Sequence, residues 1–513
     1  MDSLLQKFNE NRKKDPEVTS RVQIDVDFEE KNPFELKWNE RDYDSQFFNI
    51  YKHRLTVLRG RVESECERKW NNGFQLNGKS VVKKDNVLDV QAGEPCWCIG
   101  TIYCEMRYKP NVLEEVINDT YGAPDLVKSY VDPDGSDQIM LEDESGRLLL
   151  VGDFIKSTPF ITGAVVGLLG MEADPGTFQV LDICYPKGLN QSPMPFPIIK
   201  DNINNKYNNI GTEEIILNNT NEKVAIISGL NISSTSPSNL LKVRLLQEYL
   251  NGSLQGNIEA MSKISRLIIC GNSIEYNNGF DADQGNIVYC LDQFSQFLGN
   301  ILQTISVDVL PGKNDPSDKS LPQQPLHKAL FNDKLKSYFN KENRPILNLV
   351  TNPYKFKING WDILTISGQN IDDIMKYIIP YSKMDDNTND GDGSDNTENV
   401  SESNDNMDID AGEGDTMEHR LDLMECTMKW QNIVPTCPDT LWCYPYKNKD
   451  PFILNEWPHL YVVGNQPDFA RRNIKTSNGN QISMLAIPEF SKTGKVVILD
   501  LVTLQTEIVQ IDL

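Results

Sequence analysis

Histidine is scarce: the 513 residues contain four, His53, His327, His419 and His459. Imidazole is the commonest metal ligand and a frequent general base, so a site that needs several has little to draw on. Ten cysteines, at positions 66, 96, 98, 104, 184, 270, 290, 426, 437 and 443, include no C-x-x-C pair. That excludes a zinc ribbon and points to a reducing compartment, where Cys inside apolar runs packs as a small hydrophobe. No run of eighteen apolar residues is present, and Met1 to Lys7 lacks the apolar core of a signal peptide; neither a membrane nor secretion is expected. Lys and Arg are outnumbered 50 to 74, for a formal charge of −24. A chain that grips a nucleic-acid backbone unaided has the opposite balance, because that binding is driven by counterions released around Lys and Arg. Phosphate-binding G-x-x-x-x-G-K-[ST], dinucleotide-binding G-x-G-x-x-G, the G-x-S-x-G elbow and H-E-x-x-H are likewise missing.

What is present divides into segments. Residues 1–40 are polar, with a small basic cluster Arg12-Lys13-Lys14, and read as a flexible arm. Within 41–75, Phe47, Tyr51, Leu55, Leu58, Val62, Cys66 and Trp70 recur at three- and four-residue steps, which predicts an amphipathic helix packing on a core. Over 76–187 the pattern changes to five short β-runs: 97–104, 138–142, 147–151, 163–169 and 178–184. Two of the connections, Asp143 to Gly146 and Asp174-Pro175-Gly176, are turn sequences. That count and size predict a five-stranded OB-type barrel. Trp97 and Tyr103 lie on these strands, but few basic residues accompany them, so core packing or a protein-facing surface is favoured over base stacking.

Residues 188–222 hold nine Asn between 188 and 221 and read as a linker. From 223 to 513 strand-like and helix-like runs alternate, predicting an α/β domain. An acidic insert at 384–417 interrupts it. Twelve Asp or Glu and no Lys or Arg fall between Asp385 and Asp415, which leaves about −12 for the rest of the chain. A solvated loop is one reading of this insert, a docking tail for a basic partner the other.

The strands of the second domain end in polar loops: Ser228-Gly229-Leu230-Asn231, Gly271-Asn272-Ser273, Gly312-Lys313-Asn314-Asp315, Ser367-Gly368-Gln369 and Gly464-Asn465-Gln466. Carboxyl ends of strands in α/β sheets are where ligands are held. The placement resembles the calcineurin-like metallophosphoesterases, over roughly 223 to 513. In that family the positions of Gly229, Asn231, Asn272, Asn314, Asp315 and Asn465 supply Asp, His and Asn for two divalent metals and a general acid. Here Asn314 alone is kept; glycine and amides replace most of the others, and Asp315 stands where the acid His belongs. Amides are weak ligands and do not relay protons. None of the four histidines falls on a motif position. No metal, no cofactor and no catalytic residue is therefore expected. A residual metal-dependent phosphoesterase acting on nucleic acid or nucleotides is the alternative, and a single-strand-binding OB protein a third reading.

A barrel followed by an inactivated phosphoesterase domain resembles the B-subunits of replicative DNA polymerases. Within them, Leu141 to Arg147, Val224 to Leu230, Pro311 to Asp318, Leu321 to His327, Asn348 to Pro353 and Pro435 to Leu441 are similar to the delta class of the fungal kind. The resemblance implies an α+β multidomain chain: a helix and OB barrel, then a phosphoesterase-like β-sandwich without metal ligands. It implies a nuclear, non-catalytic scaffold in DNA replication and repair synthesis. Its partners would be the cysteine-rich C-terminal module of the catalytic subunit and a third subunit that reaches the sliding clamp, with DNA contact only inside the holoenzyme. An acidic subunit suits basic partner modules. The candidate partner surface is the former active-site face and the adjoining barrel: Gly229 to Ser233, Lys313, Asn314, Asp315, Asp318, Pro435, Thr436, Asp439 and Thr440.

Overall fold

In the computed structural model the described residues are 21, 24, 26–27, 32–44, 46–71, 73–76, 78–110, 127–195, 222–253, 258–275, 284–331, 333–339, 346–378 and 415–512. Most of the acidic insert, most of the Asn-rich linker and the basic cluster at 12–14 lie outside them. A two-residue strand, β1 (Val26–Asp27), precedes helix α1 (Phe48–Trp70). The helix buries Ile50, Arg54, Leu55, Leu58, Val62, Cys66 and Trp70 along one stripe, the face that the apolar spacing marks. Arg68 and Lys69 occupy its last turn, where the dipole favours cations.

The barrel follows: β2 (Cys96–Glu105), β3 (Gln138–Glu142), β4 (Arg147–Val151), β5 (Val165–Glu172) and β6 (Thr177–Cys184). Strand β2 pairs with both β3 and β5, and β4 lies parallel to β6, which closes the sheet on itself. Asp143 sets the β3–β4 turn by accepting from the amides of Ser145 and Gly146 at 2.7 and 3.3 Å. Helix α1 seals the β2–β5 side. There a Cβ at Gly167 would stand 2.3 Å from the Cys66 sulfur, so glycine is what lets the helix sit this close.

The second domain contains β7 (Lys223–Ile227), α2 (Pro237–Leu250), β8 (Ile264–Cys270), α3 (Gln284–Ile301), β9 (Ser306–Leu310), β10 (Leu347–Leu349), β11 (Tyr354–Ile358) and β12 (Trp361–Ile366). It continues with α4 (Gln369–Lys376), α5 (Met417–Lys429), β13 (Leu460–Gln466), β14 (Ala470–Lys475), β15 (Gln481–Pro488), β16 (Lys495–Asp500) and β17 (Thr506–Gln510). Two six-stranded sheets result, ordered β10-β9-β8-β7-β16-β17 and β1-β11-β12-β13-β15-β14. They face each other across Val224, Ile226, Ile268, Phe356, Trp361, Ile363, Val462 and Leu485, all buried. Helices α2 and α3 cover the outer face of the first sheet. On the outer face of the second, Leu364, Tyr461, Val463 and Met484 join one continuous core with α4, α5 and the barrel interior.

The expected fold class is thus borne out: an OB barrel joined to a phosphoesterase-like sandwich. The flexible arm over 1–40 is not what residues 21–40 form where they are described. Ile24 enters the sandwich core, Val26 and Asp27 pair with Ile358 and Lys357, and Phe34 is buried beside Phe452. Arg21 donates to the carbonyl of Ile264 at 2.8 Å and to those of Leu250 and Met261. Sparse anchors at 24, 26 and 34 carry no period that a sequence reading detects. Yet each is held by residues far along the chain, so the arm is a strap. Beyond it, Arg54 is fully buried and donates to Asp450 Oδ2 at 2.7 Å, to the Pro435 carbonyl at 2.7 Å and to the Cys437 carbonyl at 3.0 Å. Arg61 adds Gln431 and Leu454 at 2.8 and 2.7 Å. One helix therefore fastens barrel to sandwich.

Candidate functional site

The carboxyl ends of β7, β8, β9, β12 and β13 converge at one edge of the sandwich, where a phosphoesterase would hold its metals. Backbone fills that space. A Cβ at Gly312 would lie 2.4 Å from the Asn272 amide nitrogen, one at Gly271 2.5 Å from Ser367 Cβ, and one at Gly464 2.5 Å from the Cys270 carbonyl. Asn231, Asn272 and Asn465 turn the chain with φ of 40°, 55° and 55°, a left-handed region that Asn tolerates better than most residues.

Their side chains tie the loops together. Asn272 Oδ1 accepts from the Asn314 amide at 3.0 Å, and Asn314 Nδ2 donates to Asn231 Oδ1 at 3.2 Å. Asn231 Nδ2 donates to Ser491 Oγ at 3.1 Å and to the Glu489 carboxylate. Asn465 Nδ2 bridges the Ser367 and Cys270 carbonyls at 2.7 and 3.1 Å. Gly229, buried, donates its N–H to the Gly271 carbonyl at 2.9 Å. Each amide that replaces a ligand thus closes a loop onto its neighbour.

Asp315, in the place of the acid His, is the carboxyl at the centre, and it faces inward. It is 5% exposed, and its two oxygens accept from the Ile274 and Gly312 amides at 3.0 and 2.8 Å. Burial pushes its pKa up to about 7, against the pull of these N–H groups. Among the described residues no three His, Cys, Asp or Glu side chains group to hold a metal ion. Two divalent cations need several anionic or imidazole ligands around an open centre. The residues present, interlocked amides and one carboxyl spent on backbone, do not fit that requirement.

Of the sequence-predicted partner surface, Lys313 and Asp318 are exposed and Asn314 half-buried. Asp315 is not surface, for the reason just given. Nor are Pro435 and Thr436, which are buried; the Pro435 carbonyl is spent on Arg54, so this turn is an internal joint. Asp439 and Thr440 are half-buried. Asp439 Oδ2 accepts from Lys109 Nζ at 3.0 Å and the Tyr377 hydroxyl at 3.2 Å, while the Thr440 hydroxyl donates to Asp373 at 2.6 Å. Asp373 also accepts from the Tyr130 hydroxyl at 3.0 Å, and burial pushes its pKa up. These groups join α4 to the barrel side.

A second amide cluster escaped the sequence reading. Asn352 Nδ2 donates to Gln323 Oε1, Ser367 Oγ and Gln369 Oε1 at 2.8, 2.7 and 3.0 Å, and its Oδ1 accepts from the Ser367 amide at 3.0 Å. Gln323 Nε2 reaches the Gly312 and Asp318 carbonyls at 3.1 and 2.9 Å. The stretches 321–327 and 348–353 stand out in sequence as Pro-, Gln- and Asn-rich, but nothing in them reveals that they meet. Glu489, which receives Asn231, carries no local signal.

The family model for the B-subunit of DNA polymerases alpha and epsilon matches residues 224–471, and that for the DNA polymerase delta subunit OB-fold domain matches 46–183. Barrel, sandwich and substituted ligand set together define the class of polymerase B-subunits. The DNA polymerase delta small subunit of Saccharomyces cerevisiae is 54% identical over 520 aligned positions, covering all of both chains. Those of Arabidopsis thaliana and Oryza sativa are 32% and 30% identical, over 90% of each chain and over 91% and 92% respectively. The chain belongs to the DNA polymerase delta small subunit family, a family of accessory subunits.

Proposed function

We propose that this chain is a non-catalytic scaffold of polymerase delta in the nucleus, serving DNA replication and repair synthesis. It holds the cysteine-rich C-terminal module of the catalytic subunit and a third subunit that links the assembly to the sliding clamp. The observation that carries the reading is the interlocked amide centre: loops that would ligate metals hydrogen-bond one another instead. Full-length likeness to polymerase delta small subunits supports the choice of complex. The exposed Lys313 and Asp318, with half-buried Asn314, remain the proposed contact residues of the old active-site face.

Co-purification tests this directly. The full chain, mixed with the C-terminal module of the delta catalytic subunit and analysed by size exclusion with light scattering, is expected to give a one-to-one complex. Two folded proteins that elute separately would overturn the assignment. Manganese-dependent hydrolysis of a nitrophenyl phosphodiester by the pure chain, abolished by Asp315→Asn, would overturn the non-catalytic reading.

A further inference from the structure

Four large aromatic side chains stand open between residues 38 and 48: Trp38 is 83% exposed, Tyr43 68%, Phe47 45% and Phe48 65%. They occupy the stretch where the strap turns into α1. That stretch is held from behind. Phe34 is buried, the Leu36 amide donates to Gln324 at 2.9 Å, the Tyr444 hydroxyl donates to the Asp42 carbonyl at 2.8 Å, and the rings of Tyr43 and Tyr444 meet edge-on at 5.4 Å. Beside Phe48 opens a hollow of about 520 Å³ lined by Asp44, Gln46, Phe48, Asn49, Lys447 and Asn448. Several exposed aromatics on one stretch anchored to the body of the protein mark an interaction surface.

Arg41 supplies the second observation. Its side chain is 18% exposed, and its guanidinium lies 5.1 Å over the Trp38 ring. Its buried Nε has no hydrogen-bond partner, and the Asp318 carboxylate comes only to 3.8 Å. A desolvated guanidinium has a planar fork of donors that a carboxylate meets with two bonds. With Asp318 only loosely paired to the guanidinium, the patch asks for apolar side chains and an added carboxylate together. Asp318 also makes it continuous with the proposed contact loop at 313–318.

We propose that residues 36–44 and 46–49 with Lys447 form the docking surface for an amphipathic segment of another polymerase delta subunit. Its aliphatic side chains cover the aromatics, and its carboxylate pairs with Arg41. The proposal rests on the scaffold reading and places one of its partners. Two other occupants fit the chemistry less well. The acidic insert has carboxylates, but between 385 and 415 its large apolar side chains are Val400, Met407 and Ile409, too few for four rings. A second copy, docked about a two-fold axis, would set the patch against itself, and the patch adds no carboxylate beyond Asp44 and the Asp42 already paired with Lys447.

The test uses the full chain with each of the two subunits in turn. Hydrogen–deuterium exchange is followed on peptides covering 36–50, and affinities are measured for wild type, Trp38→Ala/Phe48→Ala, Arg41→Ala and Arg41→Lys. The expected result is protection of these peptides in one pairwise complex. That complex alone should weaken roughly tenfold or more in the double variant, and Arg41→Lys should recover only part of the Arg41→Ala loss. The ring substitutions are at exposed positions, so an unchanged melting temperature confirms folding. Wild-type complexes with no protection and no variant effect overturn this surface alone; wild type that binds neither subunit overturns the scaffold reading too. Two results would replace the proposed occupant: protection in the free chain that disappears when 385–415 is deleted, or a concentration-dependent dimer broken by the double variant.

Discussion

Asp315 and Arg54 show how single residues here serve cohesion. For Asp315 the folded-state pKa of about 7 stands above the ordinary 3.8, so the native state holds a proton that the unfolded chain releases. Its contribution is full below pH 4, falls as pH rises toward 7, and stays low above. A rise of about three units, at roughly 1.4 kcal/mol each, makes this about 4 kcal/mol. Melting curves between pH 4 and 8 should show this loss in wild type, and Asp315→Asn should flatten it. The variant also leaves one of the Ile274 and Gly312 N–H groups facing an amide donor. Arg54→Met removes one partner of a buried pair and strands Asp450, whose side chain is 0% exposed. The expected cost is about 3 to 5 kcal/mol in denaturant unfolding; a loss under about 1 kcal/mol would show that the pair is dispensable. Chelation with EDTA should leave the melting temperature unchanged, since the strand-end loops close on one another without ligating side chains.

At the scale of elements, periodicity decides what a sequence reveals. Helix α1 was legible because its apolar stripe runs for six turns. Barrel strands β3 to β6 were legible because turn residues join them in pairs. Strands β11 and β14 carry no such signal. Tyr354–Ile358 alternates apolar side chains with lysines and Ala470–Lys475 carries two arginines, each short enough to pass for loop. Pairing with β12 and β15 makes them strands. The strap is the clearest case, since a two-residue strand exists only because β11 offers an edge. Phe34→Ala, which empties one strap anchor, should cost about 3 to 5 kcal/mol. It should also speed amide exchange at Val26 and Asp27; unchanged exchange there would show that the strap is held elsewhere.

For the molecule as a whole, the shared core has a mechanical consequence. Barrel interior, α4, α5 and the outer face of the second sheet form one apolar cluster, crossed by the bonds of Arg54, Arg61 and Tyr130. An interface of this kind couples the two folds instead of letting them move as separate domains. Calorimetry is expected to show one cooperative transition, with barrel and sandwich probes coincident. Two separated transitions would mean that the joint is weaker than its burial implies. Rigidity of this sort suits a part that sets the relative placement of partners.

The sequence alone determined the class of fold, the order of its parts and the loss of a metal-ligand set. These depend on local period, turn chemistry and the identity of residues at strand ends, all of which are one-dimensional. Only the tertiary structure decided what the substituted residues do. Asn231, Asn272, Asn314 and Asn465 come from four separate loops; the first three bond one another and Asn465 bonds the Ser367 and Cys270 carbonyls only once two sheets bring those loops to one edge. The same holds for burial of Asp315, Pro435 and Thr436 and for exposure of Trp38 and Phe48. Whether a side chain meets solvent depends on what the rest of the chain packs against it, and sequence spacing does not contain that.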